Sequence, residues 1–347
     1  MTKKDGLYLD EYMPRSELVV ERVCVEGPRF PVIDFHTHLG SLTDGEETEV
    51  RERIARHVDQ LQAIGVEHVV NQAMRWGNEL IGLLKTLAPW ADFFTTFGGV
   101  DISQLDEPGF PDMVEDSLKR GVDLGMRGVK IWKNVSLGMK DRSGRHIPID
   151  DPRLTPIWDT AARLDLPVLM HIADPVAFFR PVDRFNERFE ELQHHPDWSF
   201  CSPELFEFEE LMEQQERLIK NNPNTVFIIA HMGSYGENLG FVGECLDKYP
   251  NMHVDMAARL AELGRQPYTA RKFFERYQDR ILFATDCFPS WLEHMKYYEF
   301  LETWNEYFDY SSSGVPGQGR WKVYGIGLDD GILEKVYNLN AKRLLES

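Results

Sequence analysis

An α/β barrel of eight parallel strands is what this 347-residue sequence predicts, and three observations predict it. Short apolar, β-rich runs alternate with longer amphipathic stretches, the pattern of repeated βα units around a parallel sheet. Several runs are apolar throughout, as in Val226-Phe227-Ile228-Ile229-Ala230, which is what burial on both faces demands of a parallel strand. The runs number eight, and that count alone argues for closure, because an open doubly wound sheet would show the same runs.

Taken in order, strands are expected at 32–36, 67–72, 93–100, 128–132, 167–171, 225–231, 252–255 and 281–286. Helices are expected at 48–64, 112–124, 154–164, 204–221, 240–249 and 268–277, where apolar residues recur at helical spacing. Residues 1–30 contain Pro14, Gly27 and Pro28 without clear periodicity, so they are expected to form an arm outside a single barrel domain spanning 31–347. Residues 172–203 form a long insertion after the fifth strand, rich in charge and aromatics such as Phe178, Phe179 and Trp198, and an ordered lid is expected there. A second irregular segment, 311–325, is rich in Gly and Ser, with Trp321 and Tyr324 available for packing.

Composition narrows the partners. The 57 acidic residues against 38 basic ones give a formal charge of -19, which disfavours nucleic acid and anionic membrane surfaces and leaves a small molecule as the expected substrate. No run approaches the roughly 18 apolar residues of a membrane span, and the amino-terminal segment never becomes apolar enough for a signal peptide. Cys24, Cys201, Cys245 and Cys287 are scattered without paired spacing, so neither a zinc knuckle nor a disulfide framework is suggested, and a cytoplasmic location is the expectation. Whether the chain is a homodimer is left open.

Chemistry enters with Val32-Ile33-Asp34-Phe35-His36-Thr37-His38. Side chains alternate faces on a strand, so positions 36 and 38 share a face about 6 to 7 Å apart, a spacing that one metal ion can use. Two partly exposed or hydrogen-bonded histidines are the plainer reading of that pair alone. Three more ligand-type residues end later strands: His171, His231 and Asp286. Each by itself could be a packed histidine or a helix cap. In a barrel, however, these ends converge on the face where active sites lie.

With Asp34-Phe35-His36-Thr37-His38, Met170-His171, Ala230-His231-Met232-Gly233 and Phe283-Ala284-Thr285-Asp286 in that order, nearly the whole chain resembles the amidohydrolase superfamily, in its amidohydrolase-2 branch of metal-dependent hydrolases and decarboxylases related to aminocarboxymuconate-semialdehyde decarboxylase. The resemblance implies a distorted (β/α)8 TIM barrel. It implies His36, His38, His171 and Asp286 around one divalent ion, with zinc the first choice and manganese the second, and His231 and Asp286 as catalytic residues. Such a ligand set leaves an open position where bound water becomes acidic near neutral pH. Asp286 can take that proton, while His231 can hydrogen-bond or protonate the substrate oxygen. Some superfamily members carry a carboxylated lysine bridging two ions, and Lys130 lies at the matching strand; the branch is generally mononuclear, so one ion is expected.

Beyond the strand ends, Arg75, Lys130, Trp132 and Arg259 are the candidates for substrate contact, with Trp76, Asp174, Phe178 and Arg180 also near strand ends or in the insertion. Arg259 or Arg75 could hold a carboxylate in a two-pronged contact, although surface ion pairs explain most arginines. The remaining histidines read as structural or solvated. The expected activity is hydrolysis of a small lactone, amide or ester. The alternatives are non-oxidative decarboxylation of an aromatic or unsaturated acid and, from another class, a barrel that binds metal or ligand without turnover.

Overall fold

The computed structural model describes residues 6, 8, 11–286, 288–311 and 317–346; Cys287, parts of the expected arm and residues 312–316 of the second irregular segment lie outside them. Eight strands pair in parallel and in chain order: β1 (Val32–Thr37), β2 (Val66–Gln72), β3 (Phe94–Gly98), β4 (Gly128–Ile131), β5 (Val168–Met170), β6 (Phe227–Ile229), β7 (Met252–Asp255) and β8 (Ile281–Leu282). At the remaining seam the Phe35 N–H donates to the Phe283 carbonyl at 3.0 Å and the Asp286 N–H to the His36 carbonyl at 2.7 Å. The chain running out of β8 therefore meets β1, and the sheet comes round as a nearly closed (β/α)8 barrel.

Ile33, Phe35, Val70, Phe97, Leu169, Ile228 and Leu282 form one buried cluster. They come from strands on opposite sides of the ring, so they fill its interior, as side-chain layers do in this architecture. Alternate residues such as Val129, Ile131, Val168, Met170, Val254 and Ile281 join the larger cluster beneath the helices. That two-sided burial is the cause of the unbroken apolar runs.

The departures from expectation cluster at strand ends. The register between β1 and β2 shifts between Asp34 and Thr37, so β1 is irregular at its histidines. The run at 225–231 leaves the sheet after Ile229 and turns through His231 and Met232, both left-handed (φ 59° and 55°). The next residue, Gly233, also has positive φ, and a Cβ there would lie 2.9 Å from Val242, so this turn needs glycine. The run at 281–286 is strand only through Leu282.

Two of the longer helices lie outside the expected segments. Gly77–Leu87 buries Leu80, Leu83, Leu84 and Leu87, a helical spacing present in the sequence. Trp291–Glu302 has no single apolar stripe, since Leu292 is exposed while His294, Tyr298 and Glu302 are buried. Of residues 11–30, Arg22 and Arg29 meet that helix. Arg22 forks onto Glu299 (2.8 and 3.0 Å), and the Val23 N–H donates to Asn305 Oδ1 at 2.8 Å.

Residues 172–203 contain short helical turns at Val176–Phe179 and Pro196–Trp198 and a helix at Phe189–His194. Phe178, Phe179 and Leu192 are buried, and the Phe200 N–H donates to the Phe178 carbonyl at 2.8 Å. The Val176 N–H reaches Glu237 Oε1 at 2.9 Å. The segment is thus packed against the barrel rather than free of it.

Candidate active site

His36 stands at the irregular end of β1 and is fully buried. Its Nδ1 lies 2.9 Å from Asp255 Oδ2, at the end of β7. A carboxylate can only accept, so Nδ1 carries the proton and Nε2 faces the site. Asp255 Oδ1 also accepts the backbone N–H of His231 at 2.8 Å and of Ala257 at 3.1 Å. One carboxylate therefore orients two candidate residues. Asp255 was not singled out from sequence, although it carries the same signal as the others, a ligand-type residue ending a strand.

Asp286 completes the floor. It adopts a left-handed conformation (φ 60°) that costs a β-substituted residue about 1 kcal/mol or more, offset by its N–H bond to the His36 carbonyl. Asp286 Oδ1 lies 3.1 Å from both His36 Nε2 and His38 Nε2, and Oδ2 lies 3.7 Å from His231 Nε2. Burial alone would raise this carboxyl, yet the imidazoles of His36, His231 and His38 beside it hold it well below the usual range. It is ionised at neutral pH.

The electrostatics mark a place for a cation. Burial and Lys130 push His36 down, but Asp286 and Asp255 outweigh them and its pKa is raised. Lys130 Nζ sits 2.9 Å from His36 Nε2, so both cannot hold a proton along that line. Burial lowers Lys130 to about 8 against the pull of Asp286 and Asp255. Burial likewise lowers His38, only partly offset by Asp286. The ligand atoms of His36, His38 and Asp286 lie within 4.8 Å of one another. Two imidazoles and a carboxylate so gathered suit a divalent ion such as zinc or manganese.

His231 adds a further donor. Its Nδ1 lies 2.9 Å from the Ala257 carbonyl, which fixes the proton there, and its buried Nε2 has no hydrogen-bond partner. Burial, reinforced by His171, pushes its pKa well below 6.5, so this Nε2 presents a lone pair to the site. In that tautomer His231 accepts; it can donate to a substrate oxygen only after taking up a proton.

His171 stands beside this group and lines the same cavity. Its ring centre lies 4.3 Å from that of His231, but its Nε2 is 3.1 Å from Asp174 Oδ1, and Asp174 also pairs with Lys133. Burial lowers His171 to about 4. The atoms gathered around Asp286 are thus those of His36, His38 and His231, with His171 alongside and engaged by the first turn of the insertion.

Above this floor lies a cavity of about 460 Å³, with His38, His171, His231 and Asp286 in its lining. Of the expected substrate contacts, Lys130, Trp132 and Arg259 line it, and Arg75 does not. Arg75 is half-buried, and its carbonyl accepts the Gly99 N–H at 2.8 Å. Arg180 pairs instead with Glu209 at the surface. Arg188 of the insertion, which sequence reasoning missed, also lines the cavity and is buried. Of its two partners, Glu191 is an i,i+3 neighbour of a kind that surfaces also carry and Glu262 is 74 residues away, so the sequence does not mark Arg188 as internal. His294 and His57 are buried, with His294 Nε2 3.0 Å from Asp34 Oδ2. Asp34 in turn accepts from Thr285 Oγ1 at 2.7 Å, tying β1 to the chain after β8.

Residues 33–346 match the family model described as amidohydrolase, Amidohydro_2. A comparison with curated proteins finds no match. Solved structures share the fold at low identity. A 2,6-dihydroxybenzoate decarboxylase from Rhizobium is 17% identical over 91% of this chain and 99% of its own, with a TM-score of 0.55. A 4-oxalomesaconate hydratase from Rhodopseudomonas palustris is 15% identical over 91% and 95%, at 0.53. A 5-carboxyvanillate decarboxylase from Novosphingobium aromaticivorans, with bound manganese, is 12% identical over 94% and 100%, at 0.54.

Proposed function

Because the chain belongs to the amidohydrolase family, whose model spans residues 33–346, we propose that it is a metal-dependent hydrolase of a small carboxylated substrate with an electrophilic carbonyl carbon, such as a lactone, amide or ester. The observation that carries this reading is Asp286, an ionised carboxylate at the bottom of the cavity with His36, His38 and His231 around it. An ionised carboxylate there is a base, and hydrolysis needs a base for the attacking water.

His36, His38 and Asp286 would hold the ion, with His231 Nε2 and His171 beside them. A divalent ion bound there supplies Lewis acidity, polarising a carbonyl and acidifying water. Asp286 accepts the proton of the attacking water and returns it to the departing oxygen or nitrogen. His231 Nε2 accepts a hydrogen bond from that water and aligns it. Asp255 keeps the His36 ring in its orientation and fixes the backbone of His231. Arg259 and Lys130 hold the substrate carboxylate away from the reacting carbon, and Trp132 flanks the ring or chain that joins the two.

One observation favours a second reading, non-oxidative decarboxylation. The guanidinium of Arg259 is buried, its only hydrogen bond runs from Nη1 to the Ala258 carbonyl at 2.9 Å, and no carboxylate pairs with it among the described residues. Such a cation suits an aromatic acid, the substrate class named for two of the structures that share this fold. Metal-loaded enzyme incubated with panels of lactones and of hydroxylated aromatic acids, with acid release and carbon dioxide followed separately, tests both. Acid release without carbon dioxide is expected. Carbon dioxide release without hydrolysis would replace the first reading by the second. An Asp286→Asn variant is expected to lose about 10²- to 10⁴-fold in kcat, and full turnover by that variant would remove the proposed base.

A further inference from the structure

We propose that the active-site cavity continues into a second, apolar compartment that takes the aromatic or hydrocarbon arm of the substrate, which makes that substrate an amphipathic acid. The inference rests on the function proposed above for the polar end. A second cavity, also of about 460 Å³, has Met74, Trp76, Val100, Ile102, Val135 and Met139 in its lining. Met74, Lys130 and Trp132 line both cavities, so the two share a boundary at the metal-side lysine. Each volume is at the low end of ligand pockets, and the two together match a ligand of two rings or more.

The wall of this compartment is built by the chain. After β2 the backbone turns at Met74, a left-handed non-glycine residue (φ 49°), and the Arg75 carbonyl takes the Gly99 N–H at 2.8 Å. A Cβ on Gly99 would lie 3.1 Å from the Met74 carbonyl carbon and 3.3 Å from Trp76 Cε3. Glycine at 99 therefore lets the loop after β2 settle against the end of β3, with Trp76 at the cavity edge. Trp76 and Trp132 are 44% and 45% exposed, although indoles are ordinarily well covered. Two half-open indoles at one cavity, one of them on the boundary with the polar compartment, offer faces for an apolar group whose other end is charged.

The test uses benzoate, biphenyl-4-carboxylate and the neutral 4-phenylphenol, titrated calorimetrically into the metal-loaded full chain. Ser103, exposed and lining the second cavity, is changed in Ser103→Trp to fill it, and Trp76→Ala opens its wall. Biphenyl-4-carboxylate is expected to bind about tenfold or more tighter than benzoate, with the ratio falling toward one in Ser103→Trp and by severalfold in Trp76→Ala. A ratio near one in the unaltered protein, or a ratio unmoved by both variants, overturns the compartment. A change of oligomeric state in Ser103→Trp with the ratio intact overturns it too, because a second copy of the chain would then cover this face. If 4-phenylphenol binds in a Ser103-dependent way while neither acid binds, the compartment stands and the acid reading of the polar site falls.

Discussion

The insertion after β5 and the loop after β7 each bring a buried arginine to the same cavity, and the two are partnered in opposite ways. Arg188, 1% exposed, reaches Glu191 Oε2 at 2.9 Å and pairs with Glu262, and its charge is held within the protein. Arg259, 4% exposed, makes no direct ion pair among the described residues, although Glu191, Glu237 and Glu262 lie within its electrostatic reach. A buried cation that is neutralised internally fastens one segment to another. A buried cation with no carboxylate in direct contact lowers its energy further when an anionic ligand reaches it. Residue type and burial do not separate these roles; the partners do.

Removing each arginine should have a different consequence. Arg188→Met leaves Glu191 and Glu262 buried without their cation and is expected to destabilise the fold by about 3–5 kcal/mol in urea denaturation, with Glu262→Gln in the same chain restoring part of it. A loss below about 1 kcal/mol would mean that the insertion is not fastened through this pair. Arg259→Met should leave stability nearly unchanged. Its expected effect is a rise in KM for a carboxylated substrate equivalent to about 1.5–3 kcal/mol, with kcat and the KM of an uncharged analogue much less affected. An equal effect on charged and uncharged substrates would give Arg259 a structural role instead.

Two buried histidines give a smaller, pH-dependent effect. Burial pushes His57 down to about 4 and His253 to about 3, from 6.5. Both are neutral in the fold and take up protons on unfolding, so their contribution is complete above about pH 6.5. It is lost progressively as pH falls toward 4 for His57 and 3 for His253, with a slope of at most about 1.4 kcal/mol per pH unit for each proton. Urea midpoints at several pH values, compared between the unaltered chain and His57→Phe, check this through a shallower acid slope in the variant.

The same contrast explains what could be read from the sequence. The eight strands were legible because two-sided burial makes each an unbroken apolar run, and His36, His38, His231 and Asp286 were legible because they end such runs. The helix at Trp291–Glu302 was not, since the chain covers several of its faces and no apolar stripe remains. Nor was the engagement of His171 by Asp174, which depends on how tightly the insertion turns after β5. Arg188 and Arg259 look alike in the sequence, and only packing between distant segments tells them apart.

Metal binding tests directly whether His36, His38 and Asp286 hold a divalent ion beside the cavity. The full chain, stripped with chelator and titrated calorimetrically with zinc and with manganese, should bind one ion tightly. His38→Ala and Asp286→Asn should each weaken that binding by at least tenfold while circular dichroism shows the barrel intact. No saturable binding, or binding that both variants leave unchanged, would rule that site out.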